Sequence, residues 1–320
     1  MKTRVALVYA LLLGACRSAP PVALETPSVP YVLVLGTAQD AGLPQIGCNE
    51  PPCVRARTHP DERRLVTSLL LVDPRTGKRF LFDCTPDIRE QMARAEPHPP
   101  NRALPGPRPP LVDGIFLTHA HMGHYTGLLH FGPEAYGARD LAVWSSTRFM
   151  AFLRENDPWS LLVEGGNLRL EHMPAGERVT LGPDLHVRAL VVPHRDEFTD
   201  TLAFIIEGPR KKLLYLPDID KWERWSQSIE DIIGRVDFAL VDGAFYAPDE
   251  IPGRDISEIP HPLIVESLAR FGALPRDERR KVLFTHLNHT NPACDPHTEA
   301  ARKVRQAGMA VARDGMILEL

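Results

Sequence analysis

Short apolar and β-branched runs recur along most of the chain, each broken by Gly, Pro, Asn or Asp. This punctuation predicts strands. The runs are Tyr31–Gly36, Ser68–Asp73, Arg79–Asp83, Gly114–Leu117, Leu141–Ser145, Leu168–Met173 and Val179–Leu181. Further on come Leu185–Val192, Thr201–Glu207, Lys212–Leu216, Phe238–Val241, Val282–Thr285, Ala310–Ala312 and Met316–Leu318. Pro74–Lys78 and Gly208–Lys211 read as hairpin turns, and Asp314-Gly315 as the turn of a short closing hairpin. Thr85-Pro86-Asp87 reads as a helix start, with Ile88, Met92 and Ala95 on one apolar face. Helices are also predicted over Thr147–Asn156, Ile229–Arg235, Pro262–Phe271 and Asp295–Ala307, the last capped by Asp295. Gly36–Cys53 reads as irregular. Many strands with interspersed helices are satisfied by two sheets packed face to face with helices outside, in one domain over residues 31–320.

The pattern changes before Tyr31. Lys2 and Arg4 precede an apolar stretch, Val5–Leu13, too short to span a bilayer. Leu13-Gly14-Ala15-Cys16 then resembles a bacterial lipoprotein signal. That resemblance implies a signal peptide over residues 1–15, a lipidated Cys16 and a Pro-rich tether to residue 30. The alternative is a secretory signal cleaved near Ala15 or Ala19. Arg17 after the cysteine favours the outer membrane, so the expectation is an exported protein anchored by lipid and facing the periplasm. A second Pro-rich patch, Pro97–Pro110, reads as an exposed loop or insertion.

Composition adds little beyond exclusions. The 320 residues are 43% hydrophobic and 24% charged, with a formal net charge of -4 and no basic block. Nucleic acid is therefore not an expected partner, and a small-molecule substrate is.

Chemistry concentrates at strand ends. Gly114–Leu117 runs into His119-Ala120-His121-Met122-Gly123-His124. Other strands end on His194, Asp218, Asp242 and His286, with His289 three residues beyond the last. Each histidine alone reads as a structural residue. Repetition at strand ends, where loops converge, reads as one shared metal site.

The order His-x-His-x-x-His, His, Asp, His resembles the metallo-β-lactamase superfamily, over essentially all of residues 31–320. The resemblance implies a four-layer αββα sandwich of the α/β class. It implies His119, His121 and His194 on a first metal, Asp218 bridging, and His124 and His286 on a second. Gly123 stands where that family carries an Asp, so the second site is expected to be weak, differently completed or absent. Asp40 is a candidate replacement or proton shuttle, and its plainer reading is a turn residue. Gly36–Gln45, Thr85–Arg89, His286–Pro292 and Asp314-Gly315-Met316 resemble the PqqB group of pyrroloquinoline quinone (PQQ) biosynthesis. The export signal points to a paralogue, because PQQ assembly is cytoplasmic. The PhnP phosphodiesterases are a second resemblance. Their structural zinc implies a site at Cys48, Cys53 and His289, with Asn49 and Glu50 in the region of a missing cysteine and Cys294 as a candidate fourth ligand. A Cys48–Cys53 disulfide is the competing reading. Cys84 reads as a small buried residue.

The function expected is a zinc-dependent hydrolase with one or two ions, acting on a phosphodiester or another small ester, with Asp218 and Asp40 as catalytic carboxylates. Fe or Mn also suits these ligands. The alternatives are a PqqB-like oxidative enzyme acting on a quinone-cofactor-like precursor, and a non-catalytic metal-binding lipoprotein.

Overall fold

Fourteen strands form two mixed sheets in the computed structural model, which describes residues 27–98, 111–251, 253 and 259–320. The first sheet contains β1 (Tyr31–Gly36), β2 (Ser68–Asp73), β3 (Lys78–Phe82), β4 (Gly114–Phe116), β5 (Leu141–Ser145) and β6 (Leu168–His172). The second contains β7 (Arg178–Gly182), β8 (Leu185–Val192), β9 (Thr201–Glu207), β10 (Lys212–Leu216), β11 (Phe238–Asp242), β12 (Val282–Thr285) and β13 (Ala310–Val311). The last strand, β14 (Ile317–Glu319), returns to the first sheet. The orders are β14-β1-β2-β3-β4-β5-β6 and β13-β12-β11-β10-β9-β8-β7.

Strand alternation sorts side chains into layers. In β1, Val32 and Val34 join the core between the sheets, while Tyr31, Leu33 and Leu35 join an outer core with the helices. In β10, Leu213 and Tyr215 face the central core, while Leu214 and Leu216 pack outward. Strands buried on both faces explain the near-continuous apolar runs. The αββα expectation holds.

Three local expectations are corrected. The closing hairpin does not form: β13 pairs with β12, while β14 pairs antiparallel with β1, so the chain crosses between sheets. Asp314 accepts from Thr37 and Leu65 N instead of serving a tight two-residue turn. The C-terminal helix is Glu299–Gln306, and its cap is Thr298, whose side chain accepts from Ala301 N; Asp295 sits one turn earlier, taking His297 N. The segment read as irregular, Gly36–Cys53, runs into an unexpected helix, Pro51–Thr58. Its weak amphipathic pattern hides it from periodicity; only Cys53 and Ala56 are buried.

Strand direction positions the site. β3 and β4 are parallel, and β1 is antiparallel to β2, which is antiparallel to β3. β8, β10, β11 and β12 also share a direction. The C-terminal ends of β1, β3 and β4, and of β8, β10, β11 and β12, open onto one edge of the sandwich, while β2 runs the other way.

Candidate metal centre

The edge collects the expected ligands. His119 Nε2 and His121 Nδ1 stand 2.8 Å apart, and both group with His194. His194 Nε2 lies 3.6 Å from Asp218 Oδ1. On the other side of Asp218, Oδ2 lies 3.0 Å from His124 Nε2 and 3.3 Å from His286 Nε2. Asp40 Oδ1 lies 3.5 Å from His124 Nε2 and 3.8 Å from His286 Nε2. Donors about 2.0–2.1 Å from a tetrahedral zinc sit about 3.3 Å apart, so these spacings are those of donors around a cation.

The same atoms lack hydrogen bonds. Asp40 Oδ1, His124 Nε2, His194 Nε2, Asp218 Oδ2 and His286 Nε2 are buried without one. His124 Nε2 and Asp218 Oδ2 are close but not aligned for donation. Unpaired buried polar atoms each cost about 1–3 kcal/mol, so five aimed at one another need a ligand that proteins do not supply.

The ligands' remote atoms are held instead. Asp83, fully buried, accepts from His124 Nδ1 at 2.8 Å, from Thr118 N at 2.8 Å and from Tyr215 Oη at 3.0 Å. Thr118 Oγ1 is 3.0 Å from His119 Nδ1, and Glu197 Oε1 is 3.2 Å from His121 Nε2. Such outer partners fix tautomer and ring direction. Asp83 and His286 both hold a left-handed backbone, at φ 61 and 60, which is uncommon outside glycine and recurs at functional sites.

Charge follows from this packing. Burial, then the neighbouring His124, holds His119 well below the ordinary histidine pKa, and burial takes His194 down to about 3. Burial lowers His121 as well. These three imidazoles therefore present free lone pairs. Burial also disfavours charge on His124, but the Asp83 and Asp218 carboxylates outweigh it and raise its pKa well above the usual value. Burial would raise Asp218 and Asp40, yet His286 and His124 outweigh it and hold both well below the carboxylate range.

Position 123 has a structural meaning. A Cβ built on Gly123 would lie 2.2 Å from Asp40 Oδ1 and 2.8 Å from Asp40 Cα. The Asp40 carboxylate occupies the space a side chain at 123 would need.

His261 escaped the sequence reading. It is buried beside the donors, with Nδ1 2.7 Å from Asp242 Oδ2 and 3.9 Å from Asp218 Oδ1. Burial disfavours its charge, but Asp242 outweighs that and raises its pKa. It ends no strand, so the strand-end signal missed it. Asp83 was missed because Cys84 beside it drew the burial argument; Cys84 is indeed fully buried.

A second cluster joins Cys48, Cys53 and His289. Gln45 N and Glu50 N donate to Cys53 Sγ and Cys48 Sγ, each at 3.4 Å. Cys294 packs on the same small apolar cluster, with its thiol 3.6 Å from Asn288 O. All four of Cys48, Cys53, Cys84 and Cys294 are free thiols.

A family model described as the beta-lactamase superfamily domain matches residues 78–287. The coenzyme PQQ synthesis protein B of Pseudomonas entomophila (strain L48) is 28% identical over 317 residues, covering 91% of this chain and 100% of its own. That of Klebsiella pneumoniae (strain 342) is 27% identical over 318 residues, covering 91% and 98%. Among solved structures, zinc-bound PqqB from Methylobacterium extorquens superposes with a TM-score of 0.74 at 22% identity, over 91% of this chain and 100% of that one. A diphosphatase from the PhnP family gives 0.63 at 22% identity, over 91% and 97%. The fold and the PqqB and PhnP resemblances stand.

The expected location does not. Relatives aligned along nearly their whole length are named for coenzyme synthesis, which is assembly of the cytoplasmic kind noted above. The exported location, facing the periplasm at the outer membrane, is withdrawn. Residues 1–26, with Cys16 and most of the tether, lie outside the described residues, as do residues 99–110 of the second Pro-rich patch. Among the described residues no helix is long and apolar enough to cross a membrane.

Proposed function

The chain belongs to the beta-lactamase superfamily, and from that premise we propose that it is a metal-dependent hydrolase acting on a phosphodiester or another small ester. The observation that carries this is the convergence of buried, unpaired donor atoms on both sides of Asp218. Imidazole and carboxylate donors suit zinc, and also iron or manganese. A metal ion there supplies Lewis acidity and acidifies a coordinated water towards neutral pH.

The chain's own residues would divide the remaining work. His119, His121 and His194 would hold one ion with Asp218 Oδ1; His124, His286 and Asp218 Oδ2 would hold a second. Thr118, Glu197 and Asp83 keep three of those rings turned to the centre. His261, braced by Asp242, is placed to give a proton to a leaving oxygen. Half-exposed Arg195, with Nη2 3.5 Å from His121 Nδ1, brings a positive charge to the mouth and suits an anionic substrate. A diphosphatase among the structural neighbours supports a phosphate ester. Cys48, Cys53 and His289 would hold a structural zinc with a fourth ligand; backbone N–H groups aimed at both sulfurs support thiolates there.

The test is hydrolysis of a panel of phosphodiesters, phosphate esters and carboxylic esters by protein purified without chelator. His119→Ala should abolish whatever activity is found; activity unchanged in that variant would refute the reading. A second reading, PqqB-like oxidation of an aromatic precursor, is favoured by the curated relatives. It requires oxygen consumption in step with substrate loss, which a hydrolase would not show.

A further inference from the structure

We propose that Asp40 and Gly123 are an exchanged pair: Asp40 delivers, from the loop after β1, the carboxylate ligand of the second metal position, and Gly123 is the vacancy that admits it. This rests on the metal-site reading above but not on hydrolysis.

Three observations combine. A side chain at 123 and the present loop exclude each other, because a Cβ would lie 2.8 Å from the Asp40 backbone itself as well as 2.2 Å from its carboxylate. Gly123 is absent from the positive-φ positions, so its conformation does not demand glycine; space does. Asp40 Oδ1 is buried and unpaired although the side chain as a whole is 30% exposed, so the buried oxygen is the one turned to His124 and His286. A turn aspartate would instead take a nearby backbone N–H.

The loop is built to hold that oxygen still. Ala38 N donates to Leu65 O at 2.9 Å, and Thr67 N to Ala38 O at 2.8 Å. Gln39 N donates to Leu287 O, and Leu287 N to Thr37 O, both at 2.9 Å. Thr37 and Gln39, just before Asp40, are thus bonded to the segment that carries His286. Asp40, His124, His286 and Asp218 then offer two imidazoles and two carboxylates, a four-donor set for one divalent cation. The chain has not lost the second position but has supplied its carboxylate from another strand end.

The experiment measures zinc per chain in purified, full-length protein, together with zinc affinity by chelator competition. Wild type should hold two ions at the centre beyond any at the cysteine cluster, which Cys53→Ser subtracts. Asp40→Asn, nearly isosteric, should lose one and weaken the second site about 100-fold or more, the upper end of what loss of even an outer partner costs. Gly123→Asp alone should perturb the loop. Gly123→Ala, whose Cβ would meet the backbone at 40 at 2.8 Å, should displace the Asp40 carboxylate and also lose the ion. Wild type with one ion at the centre, or Asp40→Asn with two at unchanged affinity, would overturn the proposal. Gly123→Ala holding the second ion at unchanged affinity would overturn the exchange. One ion lost from Asp40→Asn and from Gly123→Ala as expected, with no ester hydrolysed by the wild type, would leave the exchange standing and sink the hydrolase reading.

Discussion

Replacing Asp83 with Asn should cost metal affinity more than it costs the fold. The carboxylate is fully buried and joins three elements: the loop after β4 through Thr118, the second sheet through Tyr215, and His124. Asn keeps the size and tolerates the left-handed backbone at φ 61, so strain is not introduced. Its carbonyl can still serve Thr118. Its NH2 must face Tyr215 Oη, which can accept, and His124 Nδ1, which then must also accept. One bond to a charged acceptor is lost and another is rearranged, so stability should fall by about 2 kcal/mol. The larger effect is the tautomer. With Nδ1 accepting, His124 carries its proton on Nε2, the atom facing Asp218 Oδ2 at 3.0 Å. That nitrogen can then bind no metal without breaking the new bond, and affinity at this position should fall 10- to 100-fold, or about 1.4–2.7 kcal/mol. Urea unfolding of chelator-stripped protein gives the first number, and zinc titration against a chromophoric chelator gives the second. Unchanged zinc affinity in a folded Asp83→Asn protein would refute the idea that this carboxylate orients His124.

Other consequences follow from the same packing. His194 has a folded pKa of about 3 against an unfolded value near 6.5, because burial disfavours its charge. Below pH 6.5 the unfolded chain binds the extra proton, so the stripped protein should lose about 2 kcal/mol from this residue between pH 7 and pH 5. His194→Gln should remove that increment in urea titrations at the two pH values, and an identical slope in both proteins would count against it. Phe116 stacks on Phe82 at 5.0 Å and on Trp144 at 4.7 Å. Phe116→Ala should therefore cost about 3–5 kcal/mol, and a loss below 1 kcal/mol by urea unfolding would contradict a packed layer there. Cys53→Ser should remove one zinc per chain and lower the thermal midpoint if the cysteine cluster holds metal. Thiol counting that finds the wild-type cysteines oxidised, with no zinc to lose, would favour a disulfide.

Most strands were legible because alternation and punctuation are local. Ser68–Asp73, Leu185–Val192 and Val282–Thr285 match the expected bounds residue for residue. The closing hairpin was not, since Asp314 looks like a turn residue until its partners Thr37 and Leu65, some 250 residues away in sequence, are brought to it. His119, His121, His124, His194, Asp218 and His286 announced themselves by following apolar runs. His261 follows none, and only the folding back of its loop onto Asp242 places it among the donors.

The sequence by itself determined the layers and the kind of chemistry. Burial on both faces writes itself as continuous apolar runs, and metal donors at strand ends are particular residue types. Only the tertiary structure decided what Gly123 means. A missing carboxylate is a local fact, but whether another fills its place depends on a distance between residues 40 and 123 that no periodicity encodes. The parallel run of β1, β3 and β4 brings those two strand ends to the same edge, and there the gap and the spare carboxylate meet.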